Sequence, residues 1–176
     1  MLGIKSYEPT FFKDKDKFIQ EHRDKLRSLN GLNIDEVWTV HELSDGEFWA
    51  DCPVIIVVGG KQLEFCSFND SEIAVTWNDI DLKVKLDWYG NQKLNLEWRK
   101  NAIKNITPFI GKQIEKIEVI EMTQEVFDLK GKLLHSNLLL NGLGFGFSNS
   151  YISIYNAFDE TGLSNLRNGN LIYTKV

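Results

Sequence analysis

Hydrophobic and polar positions open on one period and settle into another. Over residues 14–29, Phe18, His22, Leu26 and Leu29 recur at helical spacing while Lys, Asp, Glu and Arg fill the other face. This pattern predicts an amphipathic helix. Asn30-Gly31 ends it, since that pair supplies the left-handed backbone that closes helices at low cost. Beyond it the period falls to two. The predicted strands are IDEVWTVHEL, EFWADC, PVIIVV, KQLEFCSF and EIAVTW, separated by turns at Ser44-Asp45-Gly46, Gly59-Gly60 and Asn69-Asp70. Each is short, rich in β-branched and aromatic residues and bounded by turn formers.

LKVKLDW, YGNQ and KLNLEW then predict a hairpin, with Leu82, Val84, Leu86 and Trp88 alternating with Lys83, Lys85 and Asp87. One face of each strand would be dry and the other wet. RKNAIKNITPF predicts a short helix or loop leading to Gly111. Strands resume as IEKIEVIEM, EVFDL, KLLHSNLLL, a turn at Asn141-Gly142, LGFGF, a turn at Ser148-Asn149, YISIYNAF and a closing LIYTKV.

The two halves resemble each other. At an offset of 80, Gly31 falls on Gly111, Ile34 on Ile114, Val37 on Ile117, Val40 on Ile120, Leu63 on Leu143 and Phe65 on Phe145. The offset then becomes 79, with Phe68 on Phe147, Ser71 on Ser150, Ile73 on Ile152 and Val75 on Ile154. A β-bulge accommodates one such extra residue; elsewhere it would turn every later side chain to the wrong face. The expectation is a mainly β (α+β) fold. Two similar antiparallel half-domains arise from an internal duplication, with an N-terminal helix and one further short helix. Residues 1–176 form one compact domain of two pseudo-repeats, about 26–98 and 106–176, after helix 14–29.

Composition narrows the partners. With 43% hydrophobic residues in 176, the chain can bury a sizeable core. A net charge of -5 argues against nucleic acid, which needs clustered Lys and Arg to displace counterions. MLGIKSYEPTFFKDKDK lacks an apolar core of signal-peptide length, and PVIIVV is too short to span a bilayer. A cytoplasmic location with no membrane partner is expected. Two cysteines, Cys52 and Cys66, make neither a disulfide framework nor a zinc site.

Chemical motifs are sparse. Gly142, Gly144 and Gly146 lie two apart with no helix after them, the wrong spacing for a phosphate cradle. In a strand they share a face, which predicts close approach of a helix or of the other half. His22, His41 and His135 have no ligand-like spacing, so neither metal nor cofactor is implied. Glu115, Glu118, Glu121 and Glu125 run along one strand and predict a solvated face. All five tryptophans fall within the first 98 residues, and an exposed aromatic patch would anchor a protein interface.

The function expected is a non-catalytic protein-binding module, an inhibitor or immunity-like protein in physical character, whose acidic charge suits a basic partner. Its candidate contact residues are Trp77, Trp88, Tyr89, Glu115, Glu118 and Glu121, and a monomer is favoured over a homodimer. One alternative is a small-molecule domain with its ligand between the halves. Another is a metal-dependent hydrolase using scattered acids with His41 or His135.

Overall fold

Asp14 starts the helix by accepting the Lys17 N–H on its side chain at 2.9 Å, which satisfies one of the donors a helix start leaves unpaired. In the computed structural model, which describes residues 2–91 and 93–176, this helix, α1, spans Lys15–Arg27 and buries Phe18, Ile19, His22 and Leu26. Ten strands follow among the described residues, all paired antiparallel. They are β1 (Ile34–Glu42), β2 (Val54–Val58), β3 (Lys61–Phe68), β4 (Glu72–Trp77), β5 (Leu96–Lys100), β6 (Lys116–Phe127), β7 (Leu133–Phe147), β8 (Ser150–Asn156), β9 (Thr161–Ser164) and β10 (Ile172–Lys175). The further short helix is a single 3-10 turn, Thr107–Phe109.

The strands form two five-stranded sheets, ordered β5-β1-β2-β3-β4 and β10-β6-β7-β8-β9. Each is a four-strand meander whose fifth strand returns to pair with the first, so the halves share one topology. They also meet symmetrically. Gly31 donates its N–H to Ile114 O at 2.8 Å, and Gly111 to Ile34 O at 2.7 Å; Ile34 donates to Lys112 O at 3.1 Å, and Ile114 to Leu32 O at 2.9 Å. Every partner exchanges with its mate at an offset of 80. Both glycines adopt the left-handed region, φ +82° and +81°, where a Cβ is strained.

The offset does not persist as the sequence suggests. Val37 pairs with Ile56 and Ile56 with Leu63, while Ile117 pairs with Phe145 and Phe145 with Ile152. With Val37 set on Ile117, Ile56 therefore matches Phe145 and Leu63 matches Ile152, an offset of 89. The alignment of Leu63 and Phe65 with Leu143 and Phe145 joins a third strand to a second one. Two sheets of alternating strands joined by short polar turns present matching residues at many offsets, which explains the false match.

One core lies between the sheets. Val37, Ile56, Leu63, Phe65 and Val75 from the first meet Ile117, Leu143, Phe145, Ile152 and Ile154 from the second, with Phe18, Leu26 and Leu29 of the α1 region against them. A second cluster covers the outer face of the first sheet, where Val40, Ile55, Cys66 and Ala74 lie under Leu2, Ile4, Tyr7, Ile80 and Leu86.

Part of that cover is the segment expected as a hairpin. Only Leu96–Lys100 is a strand, paired with β1 through Trp98 and Val40. The described residues of 78–95 form an irregular strap held by Glu64, whose Oε1 accepts the N–H groups of Asp79 at 2.9 Å and Ile80 at 3.2 Å. Asp87 donates its N–H to Gly3 O at 2.8 Å. Alternate residues of a strap lying flat on a sheet are buried, so the strap reads like a strand. EFWADC contributes only an isolated bridge, Phe48 to His41. Asn141-Gly142 is no turn: β7 runs through it, and Asn141 is the extra residue of a bulge opposite Ile120 and Glu121.

Candidate functional site

The six residues singled out from the sequence do not converge. Trp77 ends β4 on the side of the shared core, where its Nε1–H donates to His22 Nδ1 at 3.5 Å. Trp88 lies on the opposite face of that sheet, edge-on to Trp49 at 5.6 Å and to Tyr89 at 5.2 Å. Tyr89 is exposed at the strap's bend. All five tryptophans are half-buried, so the rings pack against the body without forming one bare patch.

The glutamates of β6 are not one solvated face. Glu115 is exposed, but Glu118 and Glu121 are buried and paired with cations, Arg167 and Lys15 among them far away in sequence. Lys15 of α1 reaches Glu121 at 2.9 Å. Glu118 takes Arg167 at 3.0 Å and Lys116 at 3.3 Å on one oxygen, while its Oε2 is buried without a hydrogen-bond partner. Glu121 follows Ile117 and Val119 at the two-residue period of β6, which places it on the core-facing side, where α1 packs.

Gly142, Gly144 and Gly146 face away from both the helix and the other half. Tyr151 and Tyr155 of β8 and Lys116 of β6 lie flat over them, and Arg167 stacks on Tyr173 at 4.1 Å. Burial, and then the Glu118 carboxylate, push the Tyr151 phenol well above its usual value. The bare strand face therefore admits the sheet's own aromatic cover. A cavity of about 120 Å³ lies beside it, lined by Ile120, Ser153, Tyr155 and Leu171 among others.

Cys52 and Cys66 are free and buried, and burial pushes the Cys66 thiol up to about 12. Neither can act as a thiolate near neutral pH. His41 is held between Thr39 Oγ1 at 2.9 Å and Gly46 O at 3.0 Å on the first sheet, while His135 is exposed on the second. Among the described residues, no three His, Cys, Asp or Glu are placed to hold a metal ion. No described helix is long and apolar enough to cross a membrane.

One feature of the surface stands apart. β10 pairs with β6 only over Glu118–Glu121, and β8 pairs with β7 only over Gly142–Phe147. Residues 122–127 and 133–139 therefore continue as a two-stranded arm with both edges open. Asp128 builds the tip: its Oδ1 accepts the N–H groups of Lys130 at 2.8 Å and Lys132 at 2.9 Å. Along the arm Phe127 (52%), Leu129, Leu133, Leu134 (59%) and Leu138 (51%) are exposed. Proteins rarely leave open edges and clustered apolar side chains uncovered unless something docks there. The run KLLHSNLLL was legible as a strand, but its exposure was not.

No protein-family model matches the chain, nor does any curated protein or solved structure.

Proposed function

We propose that the protein is a non-catalytic, cytoplasmic protein-binding module of the inhibitor or immunity kind in physical character, and that the β6–β7 arm is its contact surface. The observation that carries this reading is the arm's exposed row Phe127, Leu134 and Leu138 on a ribbon with two open edges. A lone two-stranded ribbon gains little stability from itself, so apolar side chains on it favour a partner that removes them from water.

Charge describes that partner. Between residues 122 and 141 Glu125 and Asp128 balance Lys130 and Lys132, so the net charge of -5 belongs to the rest of the chain. A neutral apolar arm on an acidic body suits an apolar groove on a basic protein, with steering supplied by the body and contact by the arm.

Capture on the tagged full chain at low and high salt, with the Leu134→Ser/Leu138→Ser variant run beside it, tests the reading. The wild type should retain one salt-sensitive partner near one-to-one, and the variant should lose it. A partner retained equally by both moves the contact away from the arm, and retention of none beyond background sinks the reading.

A further inference from the structure

The free edge of β7 reads almost the same in both directions. Residues 133–139 are Leu-Leu-His-Ser-Asn-Leu-Leu, and β8 leaves this stretch unpaired. We propose that this edge pairs antiparallel with the same edge of a second copy of the chain, about a twofold axis through Ser136. This goes beyond partner binding and does not depend on it.

An antiparallel twofold requires residue i to face residue j and j to face i. Centred on Ser136, it sets Leu133 opposite Leu139, Leu134 opposite Leu138, His135 opposite Asn137 and Ser136 opposite itself. Ser136 and Leu138 are exposed in regular register on one strand face, and Leu134, also exposed, is the extra residue of a bulge opposite Val126 and Phe127 on the same period, so each leucine would lie beside its counterpart from the second copy. Four leucines now scattered in water would form one patch, on a four-stranded ribbon β6-β7-β7-β6.

Two further observations favour a second copy over another occupant of this edge. No Asp, Glu, Lys or Arg occurs between 133 and 139. An acidic chain meets its own copy without like-charge contact only along such a stretch, and the lysines or prolines that usually protect open edges are missing here. The geometry also leaves room. With Ser136 on the axis, Gly142, the first residue of β7 that β8 covers, faces position 130 of the other copy, which lies in the tip. Each body begins where the other arm ends.

Sedimentation of the purified full chain over a wide concentration range, together with cysteine cross-linking, tests this. Ser136→Cys would put two thiols opposite each other at a Cα separation of about 4.5–5.5 Å, inside the disulfide range, while Cys52 and Cys66 are buried. Under mild oxidation S136C should give a covalent dimer, and K130C, away from the axis, should not. Leu134→Lys/Leu138→Lys sets like charges face to face and should weaken the dimer at least about tenfold, whereas Leu134→Lys/Leu138→Glu sets opposite charges face to face and should restore much of it. A monomer at every concentration overturns the proposal. So does a dimer in which S136C cross-links no better than K130C, since that dimer uses another face or exchanges arms. Purified chain alone decides this, so the outcome is separable from whether a partner is captured from cells.

Discussion

Trp77 Nε1–H donates to His22 Nδ1 at 3.5 Å, tying the last residue of β4 to the buried face of α1. The imidazole sits between Phe18 at 4.8 Å and Phe12 at 5.4 Å, and its Nε2 is buried with no partner. Only a neutral ring suits this site. Burial lowers its pKa from 6.5 to about 4, with Lys25 adding to the shift and Glu21 opposing it.

A folded-state pKa below the unfolded one stabilises the fold in full above the unfolded value, and the contribution is lost as pH falls through the window between the two. Here that window is 6.5 to about 4, and roughly 2 kcal/mol should be lost by pH 5. Other groups titrate too, so the informative quantity is a difference. Urea unfolding at pH 7 and pH 5 should show a smaller decline for His22→Phe than for the wild type. Equal declines would mean that the ring is solvated or paired in solution.

Glu64 carries the second prediction. It is fully buried, accepts Thr76 Oγ1–H at 2.6 Å, and holds the strap through the N–H groups of Asp79 and Ile80. Glu64→Leu would leave those donors without their acceptor at a cost of about 1–3 kcal/mol, whereas Glu64→Gln keeps an acceptor oxygen. Acrylamide quenching of tryptophan should therefore rise in E64L, as Trp49 and Trp88 lose cover, and stay near wild type in E64Q. Burial raises the Glu64 pKa, so its ionisation opposes folding; that contribution is favourable below the unfolded value and is lost as pH rises. E64Q should accordingly gain on the wild type towards neutral pH.

Much of this fold was legible because local periodicity and local burial agree. Phe18, Leu26 and Leu29 mark the helix, and Ile73-Val75 and Ile152-Ile154 mark strands whose alternate residues enter one core. The strap misled for the same reason: Leu82, Leu86 and Trp88 turn towards a surface at every second or fourth position without a strand neighbour. Glu118 and Glu121 were unreadable as buried groups, because Arg167 lies 49 residues from the first and Lys15 lies 106 from the second. Leucines in an arm and leucines in a core carry the same letters. What separates Leu138 from Leu143 is whether another strand and a second sheet reach that point of β7.

The glycine ladder of β7 gives the third prediction. A Cβ at Gly144 would collide with the phenol of Tyr151, and both residues are on the closely covered outer face of the second sheet. Gly144→Ala should cost about 1–3 kcal/mol through overpacking. Most of that cost should vanish when Tyr151→Ala is already present, which a double-mutant cycle in urea would measure. Additive costs would show that Gly144 is required for its backbone and not for the ring above it.

The last prediction separates a surface from a core on one strand. Leu134 and Leu138 are more than half exposed, while Leu143, five residues further along β7, is fully buried. Leu143→Ala should cost about 2–5 kcal/mol by opening a cavity between the sheets. Leu134→Ser and Leu138→Ser should each leave unfolding free energy within about 0.5 kcal/mol of wild type, while lowering retention on a hydrophobic-interaction column. The contrast matters because the arm does little for the fold that bears it. A large stability loss on replacing Leu134 or Leu138 would place the arm back against the body and remove the basis for docking there. If stability is unchanged and retention falls, the leucines are present for something outside this chain's own core.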